Sequence, residues 1–429
     1  MSVGSTMASR VRTVCGLCAL LLFSSLATTV VAEGAVELDN PIWIAEHDLG
    51  LEAVAAGGET SQKILIAGAD GYARLLDGVD PNVQIELAPT TESTLRAIDW
   101  HPRGKTALMV GDNGSMLRYV ADDHSVNTVS GSVQLNNLDM AAVAWNAAGS
   151  DAYLGGEGGY ILAYHEGEGG QGVFQFLNDT KGSQITGIAC QPEEHLCVAV
   201  TESDGIAIID SNSNHQLHWI GGEDVTWRGI NCAEPVFNRC IAIGEGRTVG
   251  RIGLDIHTPE TSVIIKQMIS SIGGEFTHIH TRSASEALVT MAPFQVMAWD
   301  LSAGEAYEWV EYSEVVSSSD ALAGERLVGS WGTTDDSNIG FLVTSYGAII
   351  GFHPPPETSV WTDSLISYVL GAVVFVAVPG SVLGLIFMNS ETLQKKYYAR
   401  RNAKFEAAEN KRIESEKAEK RAARKSKKS

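Results

Sequence analysis

The sequence predicts an all-β fold, a seven-bladed β-propeller, followed by one C-terminal transmembrane α-helix and a charged helical tail. Three observations lead there. A unit of apolar strands and polar turns recurs along the chain, as in Leu95 to Tyr119, Ala141 to Tyr164, Ile185 to Ile209 and Trp227 to Gly253. A turn dipeptide marks the same place in each unit, and its second residue recurs after 43, 45, 46, 41, 48 and 53 positions. Finally, Ser364 to Ser390 carries no charged side chain. A period of about 45 residues holding four short strands is the size of a propeller blade.

At the N-terminus, Arg10 and Arg12 precede an apolar run from Val14 to Leu26, and a Val-x-Ala ending stands at Ala32. This is the pattern of a signal peptide over 1–32, removed after Ala32. The ectodomain spans 33–353. Its first segment, Pro41 to His47, reads as an apolar strand without a blade of its own. It is predicted to pair with the last copy and close the ring, which leaves fewer open sheet edges. Inner strands begin near residues 51, 94, 139, 184, 225, 275 and 325. The turn markers are Asp70-Gly71, Asn113-Gly114, Gly158-Gly159, Asp204-Gly205, Glu245-Gly246, Pro293-Phe294 and Tyr346-Gly347. Most are dipeptides that tight hairpins favour, because positive φ matches the strand twist. The last copy has no fourth strand before Pro354-Pro355-Pro356. The competing arrangement has eight blades, with a weakly marked unit in 302–330.

Ile98-Asp99-Trp100-His101-Pro102-Arg103-Gly104, in a first strand and turn, and Trp299-Asp300, closing a third strand, resemble the WD-repeat propellers. The resemblance covers roughly 41–353 and implies the architecture. Only one copy ends in Trp-Asp, and the family's upstream Gly-His pair is missing.

Four cysteines follow the signal segment: Cys190, Cys197, Cys232 and Cys240. Four thiols allow three pairings. Hairpin geometry selects Cys190 with Cys197 and Cys232 with Cys240, because cross-strand neighbours bring their Cβ atoms within bonding reach. Zinc would require two blades to converge, without the usual Cys-x-x-Cys spacing. Asn113-Gly114-Ser115 and Asn178-Asp179-Thr180 are glycosylation sequons.

His278 and His280 are the weak candidates for a metal. They form His-x-His in a predicted inner strand, so both project from one face. No third ligand is evident. His215 and His218 belong to a predicted outer strand and loop. There is no Gly-x-Ser-x-Gly elbow and no complete phosphate loop, since Asp99 stands where the first glycine of Gly-x-x-x-x-Gly-Lys-Thr belongs. No cofactor and no catalytic residue are assigned.

Residues 354–363 form a short Pro-rich stalk, which reaches at most about 35 Å. The predicted transmembrane helix is 364–390, long enough for a bilayer core of about 30 Å. The tail 391–429 holds 14 Lys and Arg against 6 Asp and Glu, whereas 33–363 holds 14 against 46, a net of −32. The basic flank belongs in the cytoplasm and the acidic ectodomain outside it. Such an ectodomain excludes a nucleic-acid groove. The tail, with pairs such as Glu416/Lys420, reads as a solvated helix able to lie on anionic lipid.

The expected protein is therefore single-pass, in the cell membrane or an endomembrane. It is read as a protein-binding scaffold rather than an enzyme, serving assembly or maturation of membrane or secreted proteins. One alternative is a hydrolase or lyase at the central channel, which a cluster of His, Arg and carboxylate at a channel mouth would favour. Another is a sensor with a cytoplasmic partner. An exposed apolar patch would favour the scaffold.

Overall fold

The structure is a computed structural model. It describes residues 36–355, apart from 58–62, 168–169, 235–237, 271, 284–285, 301–302, 311–321, 323 and 334–335, and then residues 384, 386–426. The signal segment lies outside the described residues, as do the stalk beyond Pro355 and most of the predicted span. Among the described residues no helix is long and apolar enough to cross a membrane.

Residues up to Pro355 form one compact unit, built of seven antiparallel sheets. Each sheet begins with an inner strand: Leu51–Gly57, Leu95–Trp100, Met140–Trp145, Ile185–Cys190, Trp227–Glu234, Glu275–Ser283 and Leu327–Thr333. These open blades 1 to 7 and start within two residues of the predicted positions. Blades 1 to 6 have four strands in sequential order. Among the described residues no eighth sheet forms. Glu305–Val310, which that arrangement assigned to it, is the outer strand of blade 6.

The turn markers of blades 1 to 3 form the positive-φ pairs that their chemistry requires. In blade 1 the Tyr72 N–H donates to Ala69 O at 2.8 Å, and Asp70 and Gly71 between them have φ of 51° and 67°. Asn113-Gly114 (56°, 66°) and Gly158-Gly159 (68°, 71°) repeat this. In blade 5 the positive-φ pair is Gly246-Arg247 (64°, 58°), one residue beyond the predicted Glu245-Gly246. Glycine there takes the first of the two left-handed positions, and Arg247 is tied by its side chain to Ile272 O at 2.6 Å.

The core lies in the seams between blades. Seven buried clusters each draw on two adjacent blades, and one joins Leu51, Ile64 and Ile66 of blade 1 to Val328, Trp331 and Val343 of blade 7. That seam closes the ring. Full burial of one such aliphatic side chain is worth about 1.5–3 kcal/mol, so no single sheet keeps its core without its neighbours. The closing strand is displaced and broken relative to the prediction. Glu37–Leu38 and Ile42–Trp43, not 41–47, pair with Ala348–His353 of blade 7. Pro41 has no N–H to give to a ladder, which interrupts the strand between its two parts.

The C-terminal unit contains the helix Glu391–Ser426, solvated along its described side chains as the charge pattern predicts, with Glu391–Lys395 and Arg412–Glu416 spaced i, i+4.

Candidate functional site

All seven inner strands share one irregularity. Each carries a bulge at its start, with Glu52, Arg96, Ala141, Thr186, Arg228, Thr277 and Val328 as the extra residues. Counting from the bulge aligns the ring in layers. The first residue after it is small in six blades (Ala53, Ala97, Ala142, Gly187, Gly229, Gly329) and His278 in blade 6. The second is aliphatic in six (Val54, Ile98, Val143, Ile188, Ile230, Ile279) and Ser330 in blade 7. The third layer holds Ala55, Asp99, Ala144, Ala189, Asn231, His280 and Trp331.

Packing explains the first two layers. A Cβ on Gly187 would lie 3.1 Å from Ile230 Cγ2, one on Gly229 3.3 Å from Ile279 Cγ2, and one on Gly329 2.7 Å from Val54 Cβ. The small residue of each blade thus receives the aliphatic of the next. Only the seam between blades 6 and 7 reverses the sizes, with His278 facing the strand that carries Ser330.

His278 and His280 do share a face, as predicted, and their rings are stacked at 6.2 Å. They are hydrogen-bonded to the backbone of Leu327 and Val328 on the next inner strand. His278 Nδ1 and His280 Nε2 are buried without a partner among the described residues. Burial pushes His278 down to about 3, helped by His280 and Arg326, and pushes His280 down to about 4. Both rings are therefore neutral near pH 7. Among the described residues, no group of three or more His, Cys, Asp or Glu is placed to hold a metal.

At the end of the channel where the inner strands start, Arg228, Glu245, Glu275, Thr277, His278 and Arg326 line a cavity. The expected mixture of His, Arg and carboxylate is present there. Its cations are committed: Arg228 pairs with Glu245, and Arg326 pairs with Glu52 at 3.0 Å and donates to Leu51 O at 3.3 Å. Glu275 accepts the Gly246 N–H at 3.2 Å.

A second cavity of about 620 Å³ is lined by residues of all seven inner strands. The second-layer aliphatics Val54, Ile98, Val143, Ile188, Ile230 and Ile279 form its apolar wall, with Asp99, Asn231, His280 and Ser330 among its polar groups. Asp99 accepts the Trp145 N–H at 2.6 Å, which also ties blade 2 to blade 3. Burial raises the Asp99 carboxyl to about 7, against the opposing effect of the Trp145 and Trp100 backbone bonds.

Both disulfides form as the hairpin argument selected, Cys190–Cys197 and Cys232–Cys240. Cys190 and Cys197 are register partners, and Cys190 and Cys232 both line the 620 Å³ cavity. Disulfides persist in oxidising compartments. Of the sequons, Asn178 is exposed in the loop after an outer strand. Asn113 is exposed too, but its amide donates to Ser93 Oγ at 3.2 Å. His215 and His218 sit where predicted, in a loop and an outer strand, with His215 Nδ1 2.8 Å from the Tyr153 hydroxyl.

In the sequence Asp99 stands in the stretch that resembles the WD-repeat propellers and in the incomplete phosphate loop, and neither marks it as a channel residue. The signal that finds it is its third-layer position, where four of the other six residues are Ala or Trp. The Trp299 indole N–H of the Trp-Asp ending is buried without a partner among the described residues. No protein-family model matches the sequence. No curated protein matches it either.

Proposed function

We propose that this chain is a membrane-anchored, extracytoplasmic scaffold that binds partner proteins, with residues 364–390 as its anchor and 391–429 in the cytoplasm. One observation carries the reading. The outer strand of blade 5, Val263–Met268, presents Val263, Ile265 and Met268 at 57%, 54% and 66% exposure. It is the last strand of its sheet, so one edge of its backbone is unpaired. An exposed apolar edge strand is a template for a strand from another chain, with backbone hydrogen bonds for affinity and alternate side chains for selectivity. The disulfides, the signal-peptide pattern and the net charge of 33–363 support placement outside the cytoplasm.

The test is crosslinking in native membranes, followed by identification of what co-purifies, comparing the wild type with Ile265→Lys. The expected result is a protein partner whose recovery falls at least tenfold in the variant. Recovery of no partner, together with turnover of a small molecule by the purified chain, overturns the scaffold. A second reading, chemistry at the channel, is favoured by the convergence of Arg228, Glu245, Glu275, His278 and Arg326 at one mouth.

A further inference from the structure

The 620 Å³ cavity has a composition that selects its occupant. Six aliphatic residues, one from each of blades 1 to 6, ring it. Among the described residues no Lys or Arg lines it, and Asp99 is its only acidic side chain. The polar groups are concentrated in one layer, the third after the bulge, which contributes Asp99, Asn231 and His280 from three different blades.

Their hydrogen-bonding character is one-sided. The neutral His280 ring is fixed by its bond to the Val328 backbone, so the partnerless Nε2 is an acceptor. An ionised Asp99 carboxylate only accepts. The one unpartnered donor among the lining side chains, Trp145 Nε1, belongs to a ring packed between blades 2 and 3 against His101 and Tyr164. The His280 Nε2 is enclosed by the protein, so the acceptor open to a ligand is Asp99. The volume falls within the roughly 300–1,000 Å³ range of small-molecule sites, and an apolar wall with a few convergent polar groups is their usual construction.

We propose that this end of the channel binds a small organic cation of the alkylammonium class, its N–H donors directed to Asp99 and its alkyl chain against the aliphatic ring. The ammonium supplies donors and positive charge where the wall supplies acceptors and one negative charge. The surrounding ectodomain, at a net of −32, raises the local concentration of any cation. The same group occurs on free amines and on lysine side chains of proteins, and the chemistry is shared.

The test uses the purified full-length chain in detergent at pH 8, with binding followed by saturation-transfer NMR and calorimetry. The probes are n-butylammonium, tetramethylammonium, n-butanol and butyrate, together with a capped lysine tripeptide. Butylammonium is expected to bind at least tenfold more tightly than tetramethylammonium, which has the charge without donors, and than butyrate. Asp99→Asn, which keeps an acceptor for Trp145, is expected to reduce that affinity tenfold or more. Thermal melts confirm that the variant folds. Equal binding of tripeptide and butylammonium assigns a protein lysine as the source, and binding of butylammonium alone assigns a free amine. Butylammonium binding no better than butyrate, or unaltered by Asp99→Asn, overturns the proposal. Neither outcome bears on the outer strand of blade 5.

Discussion

His278 of blade 6 stands where six blades carry Ala or Gly, and Ser330 of blade 7 stands where six carry Val or Ile, so that one seam of the ring holds its large and small residues in exchanged order. The exchange puts polar side chains at two positions where the other seams carry apolar residues.

That relationship predicts a compensating pair. Ser330→Ile alone overfills the seam and is expected to destabilise the protein by about 1–3 kcal/mol. His278→Ala combined with Ser330→Ile restores the arrangement of the other seams and should recover more than half of the loss. Denaturant unfolding of the wild type, both single variants and the double variant measures the coupling. A strictly additive result would show that the two positions do not share a packing space.

Asp99 and His280 predict opposing responses to pH. The folded-state value of Asp99 is raised, from 3.8 to about 7. Between those values the native chain holds a proton that the unfolded chain has lost, so stability falls as pH rises through the window. The values of His278 and His280 are depressed, from 6.5 to about 3 and about 4. Their contribution is present above pH 6.5 and is lost as pH falls through the folded-state values. Thermal melts from pH 4 to 8 should therefore show Asp99→Asn more acid-sensitive than the wild type, and more stable than it at pH 8. His280→Asn should lose less stability on acidification. A common pH profile for all three proteins would contradict the buried positions of these groups.

The disulfides predict a redox-dependent stability. Each closes a hairpin of 7 or 8 residues, worth about 2–3 kcal/mol in the loop-closure model. Replacing Cys190 and Cys197 together by Ser should lower the denaturation midpoint accordingly. In the wild type, Cys190, Cys197, Cys232 and Cys240 should resist alkylation until reductant is added, as peptide mass spectrometry would read. Alkylation of all four without reductant would rule out the bonds.

The architecture was legible because turns announce themselves. Asp70-Gly71, Asn113-Gly114 and Gly158-Gly159 are restricted by backbone conformation alone, and their spacing therefore survives divergence of the strands between them. The pairing of Cys190 with Cys197 followed from the same local geometry. The bulges were not legible, since an extra residue present in every copy leaves the period unchanged. Without the bulge as origin, Asp99, His278 and Ser330 could not be seen to share or break layers. The closing strand was placed only roughly because its partner, Ala348–His353, is the strand most distant from it in sequence, and local pattern says nothing of long-range register. The ion pairs at the channel mouth depend on which blade reaches which, as Arg326 of blade 7 does towards Glu52 of blade 1.

Blade 7 is stitched from both ends of the propeller, Glu37–Leu38 and Ile42–Trp43 lying against Ala348–His353. During synthesis the earliest of these segments must wait until the latest has left the ribosome. For the whole of that interval the nascent chain is an open arc with two uncapped flanks, and a holdase has its longest opportunity to engage it. A polypeptide truncated before Phe352 has lost the mate of Leu38 and holds the closing segment through Ile42 and Trp43 alone.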